Sequence, residues 1–324
     1  MEQADSLAIG VDVGATKIAS ALVTADGRMH ASRQALTQAG QGTQAVLERV
    51  ANHINELATD APRKILGVGI GTPGQVNSRQ GIVRNAVNLG WEEVNLVAEV
   101  RSRLKIDLPI WIQKDANASA LGEYYLGAAR NCQDFVYIGV GSGLGGGVVT
   151  NGVLVTGADW NAAELGHLSL DPQGILCGCG QRGCAETIVS GPGLVKLVQR
   201  QLAQNHPSSR LSSDQELSTA LILAAAQDGD ELALSALSIV GEHLGVVMAA
   251  CISVLNPAVI VIGGGLGLAA FDFLEPAARR EITRRTLPAS HQNLQILPSR
   301  LSSSAMGAAC LVWYFDDLRQ TSVQ

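Results

Sequence analysis

Leu7-Ala8-Ile9-Gly10-Val11-Asp12-Val13-Gly14-Ala15-Thr16-Lys17-Ile18-Ala19-Ser20-Ala21-Leu22-Val23-Thr24 is the stretch that decides the fold. Leu7–Val13 alternates as a strand, Asp12 to Lys17 forms a turn, and Lys17–Thr24 returns as a second strand. Ala25-Asp26-Gly27 is another turn signal, and 28–36 reads as a third strand. The pattern starts over at Asp134. A strand at 134–140 leads into Gly141-Ser142-Gly143-Leu144-Gly145-Gly146-Gly147, a strand returns over 147–150, and Asn151-Gly152 marks another hairpin. Strand, hairpin and glycine-rich turn occurring twice predict an α/β protein of two related halves flanking a cleft. Residues 1–117 with a C-terminal helix (about 305–324) form the smaller half, and 118–304 the larger.

Between these landmarks the spacing predicts helices and buried strands. Leu47, Val50, Ile54 and Leu57 recur at steps of three and four, giving a helix over 43–57. Strands are expected at 65–70, 108–113 and 259–262, and helices at 116–129, 192–203, 217–227, Glu231–Leu255 and 305–315. The polar run 205–214 reads as a loop.

A second stretch gathers metal-type ligands. Gly166 to Glu186 reads GHLSLDPQGILCGCGQRGCAE, with Cys177, Cys179 and Cys184 close together and His167 ten positions before the first of them. Three thiolates and one imidazole suit tetrahedral Zn²⁺. Gly178, Gly180 and Gly183 let the backbone curl so that the sulfurs face one ion. Four protein ligands leave no position for water, which predicts a structural ion rather than a catalytic one. Glu164 and Glu186 add an acid at each end of the loop, which suits a polar ligand. Cys132, Cys251 and Cys310 are scattered and read as core residues. Thiolate ligands and the lack of a signal-like N-terminus predict a reducing cytoplasm.

Composition sets further bounds. Of the 324 residues 47% are hydrophobic, enough for a large core, and the net charge is −6 without a basic run. Binding to nucleic acid through a cationic face is therefore disfavoured. Uninterrupted apolar stretches such as that at 258–262 are too short to span a membrane, so no membrane partner is expected.

Gly141 to Gly146 formally matches GxGxxG, but that fingerprint needs a helix directly after the turn, and here a strand follows. No GxxxxGK[ST] occurs either. What remains are two turns rich in backbone N–H groups, a natural anion cradle. Thr16 and Lys17 add a hydroxyl and a charge to the first. Asp115 follows the strand at 108–113 and opens a helix. That puts its carboxylate at a sheet's carboxyl edge, where open α/β folds bind ligands. Asp also fills the N-cap position well, and the two roles can coexist. A helix N-terminus favours the ionised form, and an ionised carboxylate can take a proton from an alcohol as it attacks phosphorus.

These motifs, taken in order, resemble the ROK family of sugar kinases and repressors within the actin-like (ribonuclease H-like) superfamily. The resemblance covers about residues 7 to 312. It rests on Asp12-Val13-Gly14-Ala15-Thr16-Lys17, Gly71-Thr72-Pro73-Gly74, Asn88-Leu89-Gly90-Trp91, Asp115-Ala116-Asn117-Ala118, Gly141 to Gly147, Glu164-Leu165-Gly166-His167, the cysteine knuckle, Asn256-Pro257 and Gly263-Gly264-Gly265. It implies Mg²⁺- and ATP-dependent phosphorylation of a hexose or N-acetylhexosamine hydroxyl, commonly the 6-OH, by a homodimer. Under it Asp115 is the general base. Asn88, Glu164, His167 and Glu186 hold the sugar, and Gly74 lies in the loop against it. Asp12, Gly14, Thr16 and Lys17 form the first phosphate turn, Gly143 and Gly145 the second, and Gly264 with Gly265 the segment near the adenosine. His167, Cys177, Cys179 and Cys184 are the zinc ligands. His167 would then do two jobs, one ring nitrogen on zinc and the other toward a sugar hydroxyl.

Two positions depart from the family pattern. Ala15 stands where a second glycine is common, and Lys114, itself placed among the substrate-binding residues, stands where an asparagine often binds the sugar. These departures motivate a second reading, a sugar-binding or sugar-sensing member without catalysis. A DNA-binding regulator of the same family is disfavoured by the first strand starting near Leu7 and by the acidic balance.

Overall fold

In the computed structural model the chain runs β1 (Leu7–Val13), β2 (Lys17–Thr24), β3 (Met29–Leu36), α1 (Thr43–Thr59), β4 (Ile65–Thr72), β5 (Gln75–Asn77), β6 (Ile82–Ala86), β7 (Trp91–Asn95), α2 (Leu96–Arg101), β8 (Ile110–Lys114) and α3 (Asp115–Tyr125). It continues through β9 (Phe135–Val140), β10 (Leu144–Thr150), β11 (Val153–Leu154), α4 (Gly191–Leu202), α5 (Thr219–Gln227), α6 (Glu231–Leu255) and β12 (Val259–Gly263). It ends with α7 (Gly265–Ala269), α8 (Phe271–Arg285), α9 (Pro288–His291), β13 (Gln295–Pro298) and α10 (Ser304–Thr321). The structure describes residues 6–204, 209–212 and 214–321. Of the expected loop over 205–214, residues 205–208 and 213 lie outside the described residues.

Two five-stranded mixed sheets share one topology, β3-β2-β1-β4-β8 and β11-β10-β9-β12-β13. In each, an antiparallel hairpin precedes a parallel crossover, β1 to β4 in the first and β9 to β12 in the second. The repeat read in the sequence is therefore a repeat of architecture, and the α/β class holds. The chain divides into two units, one of residues up to Asn131 with Leu154–Ala162 and those from Arg300 on, the other of Cys132–Val153 with Ala163–Ser299. The boundary expected near residue 117 falls inside α3.

In the first unit β1 is buried on both faces. Leu7, Ile9, Val11 and Val13 join Ile18, Leu22, Val68 and Ile70 in a core closed by Val46, Leu47, Val50, Ile54 and Leu57 of α1. Each such side chain stabilises the fold by about 1.5–3 kcal/mol relative to exposure. The opposite face is shaped for α10. A methyl on Gly10 would lie 1.9 Å from the Ala305 carbonyl, and one on Gly69 1.9 Å from the Ala308 carbonyl. Only bare backbone lets α10 come this close, and its first residue, Ser304, thereby reaches the end of β1. A small sheet, β5-β6-β7, completes this unit. Sequence periodicity did not signal it, nor α2, α8 or β13.

The second unit is built around α6. Asp230 caps it by accepting the Ala233 N–H at 3.0 Å, and Asn256 ends it in the left-handed region. Gly241 and Gly245 let α8 approach closely. With 25 residues and a mean hydropathy of 1.8 in its most apolar window, α6 is by length and composition apolar enough to cross a membrane, although Glu242 and His243 interrupt its apolar run. Much of that window is buried inside the protein, which accounts for its apolar character.

Other differences are local. α3 stops at Tyr125 rather than 129 because the buried Glu123 carboxylate accepts the Ala128 N–H at 2.6 Å and turns the chain. β10 begins at Leu144, so the turn is Gly141–Gly143 alone and Gly145 sits in the strand opposite Gly139. Cys251 and Cys310 are core residues as expected, whereas Cys132 is only half-buried, its thiol on the Asp134 carbonyl at 3.4 Å.

Candidate active site and metal centre

The first unit assembles Asp12, Lys114 and Asp115 through strand register. β1, β4 and β8 are parallel, with Asp12 opposite Gly71, Gly71 opposite Gln113, and Thr72 opposite Lys114. Their carboxyl ends therefore share one edge, and Asp115 follows directly as the first residue of α3. Gly71 leaves no side chain between Asp12 and Asp115. A methyl on it would lie 3.6 Å from the Asp115 Cα and 3.6 Å from the Asp12 Oδ1.

Asp12 is held by the Ser304 hydroxyl, which donates to Oδ2 at 2.5 Å. Burial raises its carboxyl above the usual range, against the opposing pull of the Ser304 bond and the Lys17 charge. The turn beyond it is tied down by the backbone. Gly14 N–H donates to the Lys17 carbonyl at 2.9 Å, and the Thr37 hydroxyl donates to the Gly14 carbonyl at 2.7 Å. Thr16 and Lys17 are exposed at its tip. Ser304 and Thr37 were not singled out from sequence. They lie far from the turn along the chain, and no local pattern marks them.

Asp115 is exposed and its Oδ1 accepts the Ala116 N–H at 2.7 Å. It is not the N-cap expected from its position. Lys114 holds that place without a side-chain cap, because β8 runs straight into the helix. Lys114 itself is buried, and its ammonium donates to the Ala162 carbonyl at 3.0 Å. Beneath it, buried Gln113 takes the Lys114 N–H at 2.9 Å and the Asn117 side-chain N–H at 3.2 Å, which pins α3 to β8. Gly74 packs against the Arg84 carbonyl, and Asn88 is exposed on a one-turn helix, Val87–Leu89.

The second unit gathers the others. Glu164 and His167 are exposed at either end of one short turn, in which the His167 N–H donates to the Glu164 carbonyl at 3.0 Å. Glu186 is half-buried, and its Oε2 accepts the Leu144 N–H at 2.9 Å. It thus lies over the Gly141–Gly143 turn, where a methyl on Gly143 would meet the same oxygen at 2.4 Å. Gly264 follows β12 with φ 80°, and a methyl there would lie 2.3 Å from the Val140 carbonyl. Gly265 opens α7 with free space around it.

The metal-type quartet converges. The ligand atoms of His167, Cys177, Cys179 and Cys184 all lie within 4.8 Å of one another. Cys179 Sγ is 3.6 Å from Cys184 Sγ, and Cys177 Sγ is 3.9 Å from His167 Nδ1. A tetrahedron with metal–sulfur bonds of about 2.3 Å has edges of about 3.8 Å, so the residues fit Zn²⁺. The loop is shaped by the backbone. Cys177 N–H donates to the Gln181 carbonyl at 2.8 Å, and Ser169 bridges to Cys184. Gly180 and Gly183 have positive φ, whereas Gly178 does not. A methyl on Gly183 would strike the Asp171 carbonyl at 1.7 Å. Before any metal, burial and its sulfur neighbours push the Cys184 thiol up to about 12, while the Gln181 N–H lowers that of Cys179. A divalent ion reverses this logic by taking thiolates outright.

The ROK family profile matches residues 8–314 of this chain. The chain belongs to the ROK family. It is 34% identical over 312 residues to a glucokinase of Thermotoga maritima, covering 94% of this chain and 96% of that protein. A xylose repressor of Caldicellulosiruptor bescii is 31% identical, covering 96% of this chain and 78% of that protein. Among solved structures, a ROK family glucokinase from Streptomyces griseus in complex with glucose and AMPPNP superposes with a TM-score of 0.81 at 30% identity, covering 94% of this chain and 98% of that one. This ROK chain thus resembles both kinases and repressors over nearly all its length.

Proposed function

We propose that this ROK protein transfers the γ-phosphoryl of ATP to a hexose or N-acetylhexosamine hydroxyl, the 6-OH in a glucokinase-like reaction. The observation that carries the reading is the shared edge of β1, β4 and β8, where Asp12 and Asp115 both border Gly71, each within 3.6 Å of where its methyl would lie. Full-length similarity to a glucokinase supports it.

In this reading Asp115, ionised at the start of α3, accepts the proton of the sugar hydroxyl. Loose phosphoryl-transfer transition states ask mainly for positioning and charge stabilisation, so a weak base suffices. The N–H groups of the two turns, with Thr16 and Lys17, cradle phosphate oxygens. Asp12 supplies a hard oxygen donor beside the first turn, which suits Mg²⁺. Bound Mg²⁺ would neutralise phosphate charge. Asn88, Glu164, His167 and Glu186 are assigned to the sugar hydroxyls, with Gly74 in the loop beside them and Gly264 and Gly265 near the adenosine. His167, Cys177, Cys179 and Cys184 would hold a structural Zn²⁺, which would fix the orientation of the His167 ring and leave its other nitrogen for a sugar hydroxyl. We further assign the protein to the cytoplasm, consistent with reduced thiol ligands, and to a homodimer.

Release of ADP from Mg-ATP with a panel of glucose, mannose, fructose, allose, N-acetylglucosamine and N-acetylmannosamine tests the reaction. Turnover on at least one sugar is expected.

One observation favours a second reading, sugar binding without phosphorylation. Lys114 stands in place of a sugar-binding asparagine, with its ammonium on the Ala162 carbonyl, and a repressor is nearly as similar as the glucokinase. Calorimetric sugar binding with no ADP release across the panel would favour it.

A further inference from the structure

A groove of about 770 Å³ opens on the first unit, away from the shared strand edge. It is lined by Ser78 and Arg79 of the β5–β6 turn, Arg101 at the end of α2, Trp111 of β8, and Phe315 and Arg319 of α10. Trp111 lies four residues before Asp115, about 13 Å along an extended strand, so the groove is separate from the candidate active site.

Its chemistry is out of keeping with the rest of the protein. The chain carries a net charge of −6, yet three arginines and no carboxylate line this groove. Among the described residues Arg79, Arg101 and Arg319 make no ion pair. Arg319 instead rests over the Trp111 ring at 5.4 Å from its centre. Trp111 and Phe315 lie nearly parallel, at 5° and 6.4 Å between centres, and give the groove an apolar wall. All three guanidinium groups belong to exposed residues, so they cost little to hold there.

We infer that this groove binds a small phosphate monoester. The guanidinium forks match a dianionic phosphate in bidentate geometry, and the ring wall takes the organic part, either a sugar ring face or a base. The chemistry is shared by phosphorylated sugars and nucleotides, and the rings do not separate them.

Calorimetric titration of the full chain with glucose 6-phosphate, AMP and inorganic phosphate, each at fixed ionic strength, tests this. At least one of the two organic esters should bind saturably and more tightly than inorganic phosphate, and whichever does names the source. The triple variant Arg79→Gln, Arg101→Gln, Arg319→Gln should lose at least about 100-fold in affinity, since each charge-assisted contact is worth roughly tenfold or more. A triple Arg→Lys variant, which keeps the charge and loses the fork, should lose about tenfold. Unchanged melting temperatures would exclude misfolding, and the lysine variant preserves the test if the glutamine variant does not fold. Wild-type affinity in both variants would mean that the esters bind at the phosphate turns and would overturn the inference. So would the absence of saturable binding, or inorganic phosphate binding as tightly as the esters.

Discussion

Asp12 and Asp115 stand on either side of one glycine. The point where a Gly71 methyl would sit is 3.6 Å from the Asp12 Oδ1 and 3.6 Å from the Asp115 Cα, so no more than twice that distance separates them. A methyl at Gly71 would make ordinary contacts, the nearest at 3.4 Å to the Ala118 Cβ. Gly71→Ala should therefore fold, with its melting temperature within a few degrees of wild type. Under the proposed mechanism its turnover should nevertheless fall at least about tenfold, because the methyl would stand between Asp12 and the proposed base Asp115. Thermal melts and kcat measured side by side check this. Normal kcat in a folded variant would remove this point between Asp12 and the start of α3 from the mechanism.

Asp12 offers a pH test. Burial holds its carboxyl above the ordinary value, so the folded state binds a proton that the unfolded state releases. Stability from this group is greatest at low pH and declines as pH rises through its elevated range. Asp12→Asn keeps an oxygen for Ser304 and removes the charge. It should melt higher than wild type at pH 7.5, with the gap shrinking toward pH 4.5, while phosphoryl transfer is lost. Paired melts across this range decide the matter. A variant less stable than wild type at every pH would contradict the cause given for the shift.

Two adjacent glycines should respond differently. Gly264→Ala forces φ 80° on an L-residue and drives its methyl to 2.3 Å from the Val140 backbone. A cost above about 2 kcal/mol is expected, from strain and overpacking together. Gly265→Ala faces open space and should be near neutral in stability. Urea denaturation of both variants separates them.

The cysteine loop should carry one zinc per chain by elemental analysis. Removing it with a strong chelator should lower the melting temperature, because ion binding to the folded loop is folding free energy. Cys177→Ser should lose the metal. With the structural role proposed for the ion, Zn²⁺ re-addition to the stripped wild type should restore stability and turnover together. A metal-free protein of unchanged stability would count against the assignment.

Lys114→Asn shortens the side chain that reaches the Ala162 carbonyl. It should change KM and preference among sugars more than kcat on the best one, since the proposed role of the ammonium is to hold a loop and Asp115 is the proposed base. Steady-state kinetics across the sugar panel read this split. A selective loss of kcat with KM unchanged would give Lys114 a direct part in the reaction.

Much of this was legible because it is local. α6 keeps the bounds read from sequence, and β1 and β2 begin and end as expected, since long periodic segments impose their own structure. The quartet at His167 to Cys184 was equally readable, its ligands falling within one loop. What escaped were elements without a period. β5 to β7 are short and largely polar on one face, and α8 contains Pro276 amid charged residues. Tertiary placement escaped as well. Ser304 meets Asp12 only because Gly10 and Gly69 let α10 lie on the sheet, and Lys114 meets Ala162 across 48 residues of sequence. The glycine run after Gly143 read as turn but pairs as β10, because glycine's lack of side-chain preference conceals a strand.

The most direct test of the central claim is single-turnover phosphoryl transfer by wild type and Asp115→Asn, using the best sugar and radiolabelled Mg-ATP. Asp115 is exposed on a helix end, so the variant should fold and bind sugar as wild type does. Its chemical step should slow by about 10²-fold or more, the usual weight of a general base. A folded, sugar-binding variant that transfers phosphate at the wild-type rate would contradict Asp115 as the base and the mechanism built on it.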